Sequence, residues 1–380
     1  MPMYRWRKVL LSLLLFPATI PAVAGIDLAD TRPLVLPGTN IEYFRDRGSH
    51  LSITNFLDPR LTPAMTRSPS LPPNFGFSGD VIWVRIPVKN SGSAASRWLL
   101  EYAYPMIDNI TFHLLGRQGL ITSRQTGRLF PFASRELKHR HFVFRIPLPP
   151  GESGTILLRL QSGSNIPLPL TLWETGAFHA ADHELQILLG IFYGTILIMI
   201  IYNLLLLISF RDLTYLHYIL FLVSISVVQG GLHGVAYEYL WPGAVWWNSH
   251  SFVFFTALSI FWICLFLQAF LFTKQNHPRL HRLLLVQESA LLACGLGGFV
   301  LPYSFSVQLV SILAVLSFVL IIGTGIRSLH RGFRAARFYL LAWSCFLTGG
   351  VLLVLRNFGA LPHTFLTING MQLGIMALVI

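Results

Sequence analysis

Two histidines four residues apart, His277 and His281 in HPRLH, would share one face of a helix and offer two imidazole nitrogens to a zinc ion. A zinc site needs at least a third protein ligand, and the neighbours here are Lys274, Arg279 and Arg282, so the stretch reads as a basic interfacial segment. Glu288 lies further along, inside an apolar run, where a carboxylate is expensive and normally faces a bundle interior or a wet cavity with a partner. His217 and His233 are candidate partners; a reach back towards Arg282 and the lipid headgroups is the competing reading. The chain contains no H-E-x-x-H pattern, no G-x-x-x-x-G-K-[ST] loop and no GGDEF stretch, so no catalytic residue, cofactor or metal is assigned.

A second group of residues suits binding. Trp83, Arg85, Tyr102, Tyr104, Asp108, Arg128 and Trp173 combine flat apolar faces, on which a sugar ring stacks, with charges that orient a polar molecule. Trp83, Arg85, Tyr104, Asp108 and Arg128 are the ligand-binding candidates. The competing reading makes Trp83, Tyr102 and Trp173 core anchors and leaves the charges to solvent, and an Asx-type turn accounts equally for Asp108 in PMIDN. In EYLWPGAVWWNSH (238–250), Trp241, Trp246 and Trp247 suit an interfacial belt, or a surface on which another domain docks.

These residues belong to two dissimilar halves. From about Pro33 to Phe178, turn clusters such as NSGS and PPGESG separate short runs rich in β-branched and aromatic residues: VIWVRIPVKN, RWLLEYAYP, NITFHLLG, RHFVFRIPLP, GTILLRLQS and LPLTLWE. Six or more strands without a helix longer than about two turns predict an antiparallel β-sandwich. In HFVFRIPL three consecutive apolar residues suit a strand buried on both faces. Cys264, Cys294 and Cys345 all fall in the other half, so this sandwich is held by a core and not by disulfides.

After Ala180 the chain becomes a series of apolar runs, at about 185–209, 213–234, 250–273, 283–301, 305–326, 337–355 and 363–380, each near the roughly 20 residues that a bilayer core requires. A hydrophobic fraction of 53%, with 12% charged residues, agrees with a membrane protein. The net charge of +12 is not a nucleic-acid footprint, because the basic residues form no single patch. Eight of them, Arg211, Lys274, Arg279, Arg282, Arg327, Arg331, Arg334 and Arg337, occupy alternate loops between spans, while the opposite loops hold only Arg356. The positive-inside rule puts those basic loops in the cytoplasm and the sandwich outside. The opening MPMYRWRKVLLSLLLFPATIPAVAG, with its basic start, short apolar core and Ala22-x-Ala24, reads independently as a signal peptide. The expected organisation is a signal peptide over 1–24, an exported sandwich over 25–184 and a seven-helix bundle over 185–380.

Several stretches then resemble a known family. Tyr193, Gly194, Tyr202 and Asn203 follow a YG…YN pattern, Arg211, Asp212, Tyr215, Leu216 and Tyr218 an R-D-x-x-Y-L-x-Y turn, and Tyr239 to Pro242 a YLWP segment. Together they resemble the first spans of the bacterial seven-transmembrane receptors with diverse intracellular signalling modules. NFGFSGDVIWVRIPVKNSG (74–92), WLLEYAYPMIDNITFHLL (98–115) and LPPGESGTILLRLQSGSNIPLPLTLW (148–173) are similar to that family's type 2 extracellular domain. The resemblance implies an all-β jelly-roll-like sensory domain, related to carbohydrate-binding modules, followed by an all-α seven-helix transmembrane bundle. It implies a receptor in the bacterial inner membrane that passes an extracytoplasmic signal to a cytoplasmic output module, foremost a diguanylate cyclase, otherwise a histidine kinase. Expected partners are the lipid bilayer, an extracytoplasmic small molecule or carbohydrate, the output module and a second copy of the chain, with no nucleic acid. The alternative is a transporter or channel with an exported cap, against which stand the unpaired seven spans and the single acid well inside them. HTFLTINGMQLGIMALVI (363–380) reads as the seventh span, with the output module expected beyond it.

Overall fold

A computed structural model describes residues 25–28, 34–35, 41–58, 60–67, 74–92, 98–332, 336–357, 361 and 364–379. The expected signal peptide, residues 1–24, lies outside the described residues.

The first half is a β-sandwich. Its strands are β1 (Ile26–Asp27), β2 (Leu34–Val35), β3 (Glu42–Asp46), β4 (Thr66–Arg67), β5 (Asn74–Phe77), β6 (Val81–Lys89) and β7 (Trp98–Tyr102). They continue with β8 (Asn109–Gly116), β9 (Gly119–Thr126), β10 (Phe142–Arg145), β11 (Ser153–Gln161), β12 (Asn165–Pro167) and β13 (Leu170–Glu174). One sheet has the order β4-β3-β6-β11-β8-β9, with β1 parallel to the end of β6; the second has the order β10-β7-β13-β2; β5 and β12 pair with each other. Period-two alternation sends Ile82, Val84 and Ile86, Ile110, Phe112 and Leu114, and Ile156, Leu158 and Leu160 from the first sheet into a shared core. Leu100, Tyr102, Phe142, Phe144 and Leu172 meet them from the second sheet, and Phe112 and Phe144 stack across the gap at 4.9 Å. The three apolar residues of HFVFRIPL are explained: Phe142 and Phe144 enter this core, while Val143 points to the opposite face and is buried with Leu99 and Phe178.

Helix α1 (Ile53–Leu57) lies over the outer face of the first sheet, where Phe56 meets Trp83 at 4.6 Å. The second half contains α2 (Thr175–Phe210), α3 (Leu213–Leu232), α4 (Val245–Phe270), the short α5 (Thr273–Asn276), α6 (Pro278–Gly297), α7 (Tyr303–His330), α8 (Ala336–Asn357) and α9 (Phe365–Val379). Apart from α5 these fall on the expected spans. Among the described residues α2, α3, α4 and α7 are long and apolar enough to cross a bilayer; Arg279, Arg282, Gln287 and Glu288 dilute α6. Phe221, Leu222, Leu267, Leu291, Ile321, Trp343 and Phe346 fill the bundle interior, whereas Leu188, Ile198 and Ile208 on α2 are more than half exposed, as a lipid-facing side requires. Helices α8 and α9 cross closely: a Cβ on Gly349 would lie 2.4 Å from the Gly370 carbonyl oxygen.

Helix α2 starts at Thr175, directly after β13, and runs unbroken through residues 184 and 185. The Glu174 side chain caps it by accepting from the backbone N–H groups of Gly176 and Ala177. The polar stretch before the apolar run is thus a helical extension, anchored by Phe178 on the second sheet.

Candidate functional site

Antiparallel neighbours share a sheet face, so register defines the outer face of the first sheet. One row across it is Phe44, Trp83, Arg159, Thr111 and Gln125; the next is Glu42, Arg85, Leu157, His113 and Ser123. Arg85 is one-third exposed and holds Glu42 Oε2 through Nε at 2.7 Å and Nη2 at 2.6 Å. Trp83 is almost completely buried, beneath Phe56 and beside the His113 ring at 6.4 Å. Trp83 Nε1 and His113 Nδ1 are buried and, among the described residues, have no hydrogen-bond partner. Such a group costs about 1–3 kcal/mol when nothing meets it, so these two atoms hold unused hydrogen-bonding capacity. Burial, with the Arg159 charge behind it, pushes the His113 pKa below the usual imidazole value, which keeps the ring neutral at neutral pH.

Asp108 and Arg128 stand elsewhere. They flank the open end of the β8–β9 hairpin, Asp108 immediately before β8 and Arg128 just after β9. Arg128 Nε lies 2.6 Å from Asp108 Oδ1, and Asp108 Oδ2 accepts from the Gly163 N–H at 2.7 Å. Arg128 is 2% exposed because the helical bundle covers it: Nη1 donates to the Ser249 carbonyl of α4 at 3.2 Å, and the guanidinium sits 3.5 Å above the Tyr303 ring of α7. Asn248 Nδ2 donates back to the Arg128 carbonyl at 3.2 Å. Burial works against this charge, but Tyr303, Asp108 and Tyr104 outweigh it and hold the Arg128 pKa above its ordinary value.

The seam continues from there. Tyr237 Oη donates to the Phe130 carbonyl at 2.5 Å, and the Phe132 N–H donates to the Pro242 carbonyl at 3.1 Å. Arg135, buried against the Phe142 and Phe132 rings, donates through Nη1 to the carbonyls of His139 and Arg140, and burial brings its pKa down to about 10. Gly234, just past α3, has φ +77°, and a Cβ there would sit 2.3 Å from the Arg140 carbonyl oxygen. Only glycine permits so close an approach between bundle and sandwich.

Residues 185–380 match the family model described as 7TM diverse intracellular signalling, and residues 38–174 match the one described as 7TMR-DISM extracellular 2. The chain belongs to this receptor family. It is a multi-pass membrane receptor with an extracellular sensory domain, built for intracellular signalling. No curated protein sequence matches it.

In this receptor the five ligand-binding candidates fall in different places. Trp83 and Arg85 share the outer sheet face; Asp108 and Arg128 form the seam; Tyr104 packs against the sandwich core beside Tyr102, and near Arg128. Within the bundle, Glu288 is buried and accepts from Gln268 Nε2 of α4 at 2.6 Å, so its partner is an amide and not His217 or His233. His217 stacks on Trp262 at 6.1 Å, and His233 caps α3 with Nδ1 2.8 Å from the Gln229 carbonyl oxygen. His277 and His281 turn to different hydroxyls, Ser328 Oγ and Thr273 Oγ1, and so do not converge. Sequence reading does not find Tyr303, Ser249, Tyr237 or Arg135, whose partners are often more than a hundred positions away. The available signal is the stretch 238–250, read as a belt or a docking surface. Its Pro242, Asn248 and Ser249 contact the sandwich, while Trp246 is 60% exposed.

Proposed function

We propose that the receptor detects an extracytoplasmic ligand on the outer face of the first sheet and passes the event along the β8–β9 hairpin to the seam. One observation carries this reading: the hairpin that bears Thr111, His113 and Gln125 ends in a buried ion pair whose arginine is held by α4 and α7. A ligand that favours one arrangement of the hairpin therefore biases the helices in contact with Arg128. A hydroxyl-rich ligand such as a carbohydrate suits the face, since its oxygens would satisfy Trp83 Nε1 and His113 Nδ1 once α1 gives way, and Arg85 and Arg159 would orient it.

The division that goes with this reading is a cleaved signal peptide over 1–24, a sensory domain over 25–184 and a transmitting bundle over 185–380. The basic loops lie in the cytoplasm, and the last helix hands the change to a diguanylate cyclase, otherwise a histidine kinase. The test uses the full-length protein in two steps. Cell-wall sugars are first screened for a rise in the melting temperature of the purified receptor, and a rise abolished by R85A supports the face. Arg128→Lys is then compared with wild type for ligand-dependent output: retained binding with lost output is expected. Wild-type output from the variant would overturn transmission through the seam, and a screen in which no sugar shifts melting would overturn the carbohydrate class.

A further inference from the structure

We propose that Glu101, His139 and His141 form a binding site for a divalent cation of the zinc class, on the outer face of the second sheet where α2 packs. Each of the three brings one donor atom within 4.8 Å of the other two. Glu101, on β7, lies opposite Val143 and Thr171, on the face that Phe178 of α2 covers, and the His139 ring is 5.1 Å from Phe178 and 5.3 Å from the His141 ring.

The surrounding hydrogen bonds orient the donors. Trp173 Nε1 donates to Glu101 Oε2 at 2.7 Å, which leaves Oε1 facing His141 Nδ1 at 2.6 Å. The His141 backbone N–H points at His139 Nδ1 from 3.1 Å, so that nitrogen carries the lone pair and Nε2 carries the proton. Nε2–H faces Asp182 Oδ1 at 2.9 Å. Asp182 belongs to α2 and is held in turn by Arg140 Nη2 at 2.5 Å and by Gln186 Nε2 at 2.7 Å. A carboxylate behind the ring is the arrangement that fixes the tautomer of a metal-ligating imidazole, and an ion would take the Nδ1 lone pair over from the His141 N–H.

Two imidazoles and one carboxylate suit zinc and its neighbours; calcium and magnesium, which take oxygen ligands in larger number, are poorly served. Bonds of about 2.0–2.2 Å in tetrahedral geometry space ligand atoms roughly 3.3 Å apart, so the Glu101–His141 pair would open by about 0.7 Å. His141 would bind through Nδ1 as the tautomer that carries its proton on Nε2, and a water or a ligand donor atom would fill the fourth position. Because Asp182 stands on α2, the ion would tie the sandwich face to the first span.

The test uses full-length receptor in detergent, prepared without a histidine tag and stripped of metal. Competition against a chromogenic zinc indicator should show one Zn2+ bound per chain, lost in H139A and in H141A, weakened 10–100-fold in D182N and unchanged in H281A. Cobalt added to unmutated receptor should give the visible bands of a tetrahedral ion, a readout independent of whether a variant folds, and calcium should not displace it. Absence of stoichiometric zinc binding by the wild type, or binding that survives H139A and H141A, would overturn the site.

Discussion

Arg128 is a charge that folding has taken out of water, and its value depends on every partner remaining in place. Removing one member of a buried pair leaves the other uncompensated, at a cost of about 3–5 kcal/mol. R128A should lower the melting temperature of the full-length receptor sharply, while R128K, which keeps the charge but loses the planar fork, should fall between; calorimetry or intrinsic fluorescence checks the order. His113 makes the stability of the first sheet's outer face depend on pH. Its unfolded pKa is near 6.5 and its folded value is lower, so its contribution is fully present above 6.5 and is lost as pH falls towards the folded value. Melting measured from pH 7.5 down to 5 should therefore show a loss that His113→Gln makes shallower; an unchanged slope would refute the assignment. Glu288 differs again. In E288Q the new amide oxygen can still accept from Gln268, so folding should be retained. Neither protein should support ion or solute flux in proteoliposomes; flux in wild type that E288Q abolishes would favour a transporter.

The elements show where local pattern decides and where it does not. Strand alternation placed β6, β7, β8, β10, β11 and β13 close to their observed positions, because a half-buried strand writes its burial into every second residue. The start of α2 was not legible: the stretch TGAFHAADHE (175–184) mixes apolar and polar residues without a membrane signal, and its helicity depends on the Glu174 cap and on Phe178 burying against Leu99 and Val143. Helices α8 and α9 meet through glycine. Gly349→Leu should force them apart, since its side chain would enter space held by the Gly370 carbonyl. A loss of about 1–3 kcal/mol is expected, read as a lowered melting temperature with an unchanged sandwich in near-ultraviolet circular dichroism.

For the whole molecule, the seam makes sandwich and bundle one mechanical object. The contacts among Arg128, Ser249, Asn248, Tyr303, Tyr237 and Phe130 join residues far apart in the chain, and α2 enters the bundle from β13 without a linker. A sensory domain tethered by a flexible linker would have no such path. The proposed orientation is checked by alkaline phosphatase fusions, active only when exported: fusions after Pro242 should be active, and fusions after Asp212 or Gln275 inactive. The reverse pattern would invert the topology and place the sandwich in the cytoplasm.

Composition, apolar run length and strand periodicity were enough to read a β-sandwich followed by a membrane bundle, and the YG…YN, R-D-x-x-Y-L-x-Y and YLWP patterns were enough to point to the family. Those properties are local, repeated many times along the chain, and tolerant of any single residue. The candidate sites were only partly legible, because a residue type does not state its neighbours. Trp83 and Arg85 share a sheet face through register, and Asp108 and Arg128 were recognisable as polar groups near aromatic ones. Their burial beneath α4 and α7, the amide partner of Glu288 and the convergence of Glu101 with His139 and His141 were decided by tertiary packing alone. Desolvation and partner distance give a charge its role, and both come into being only when distant segments meet.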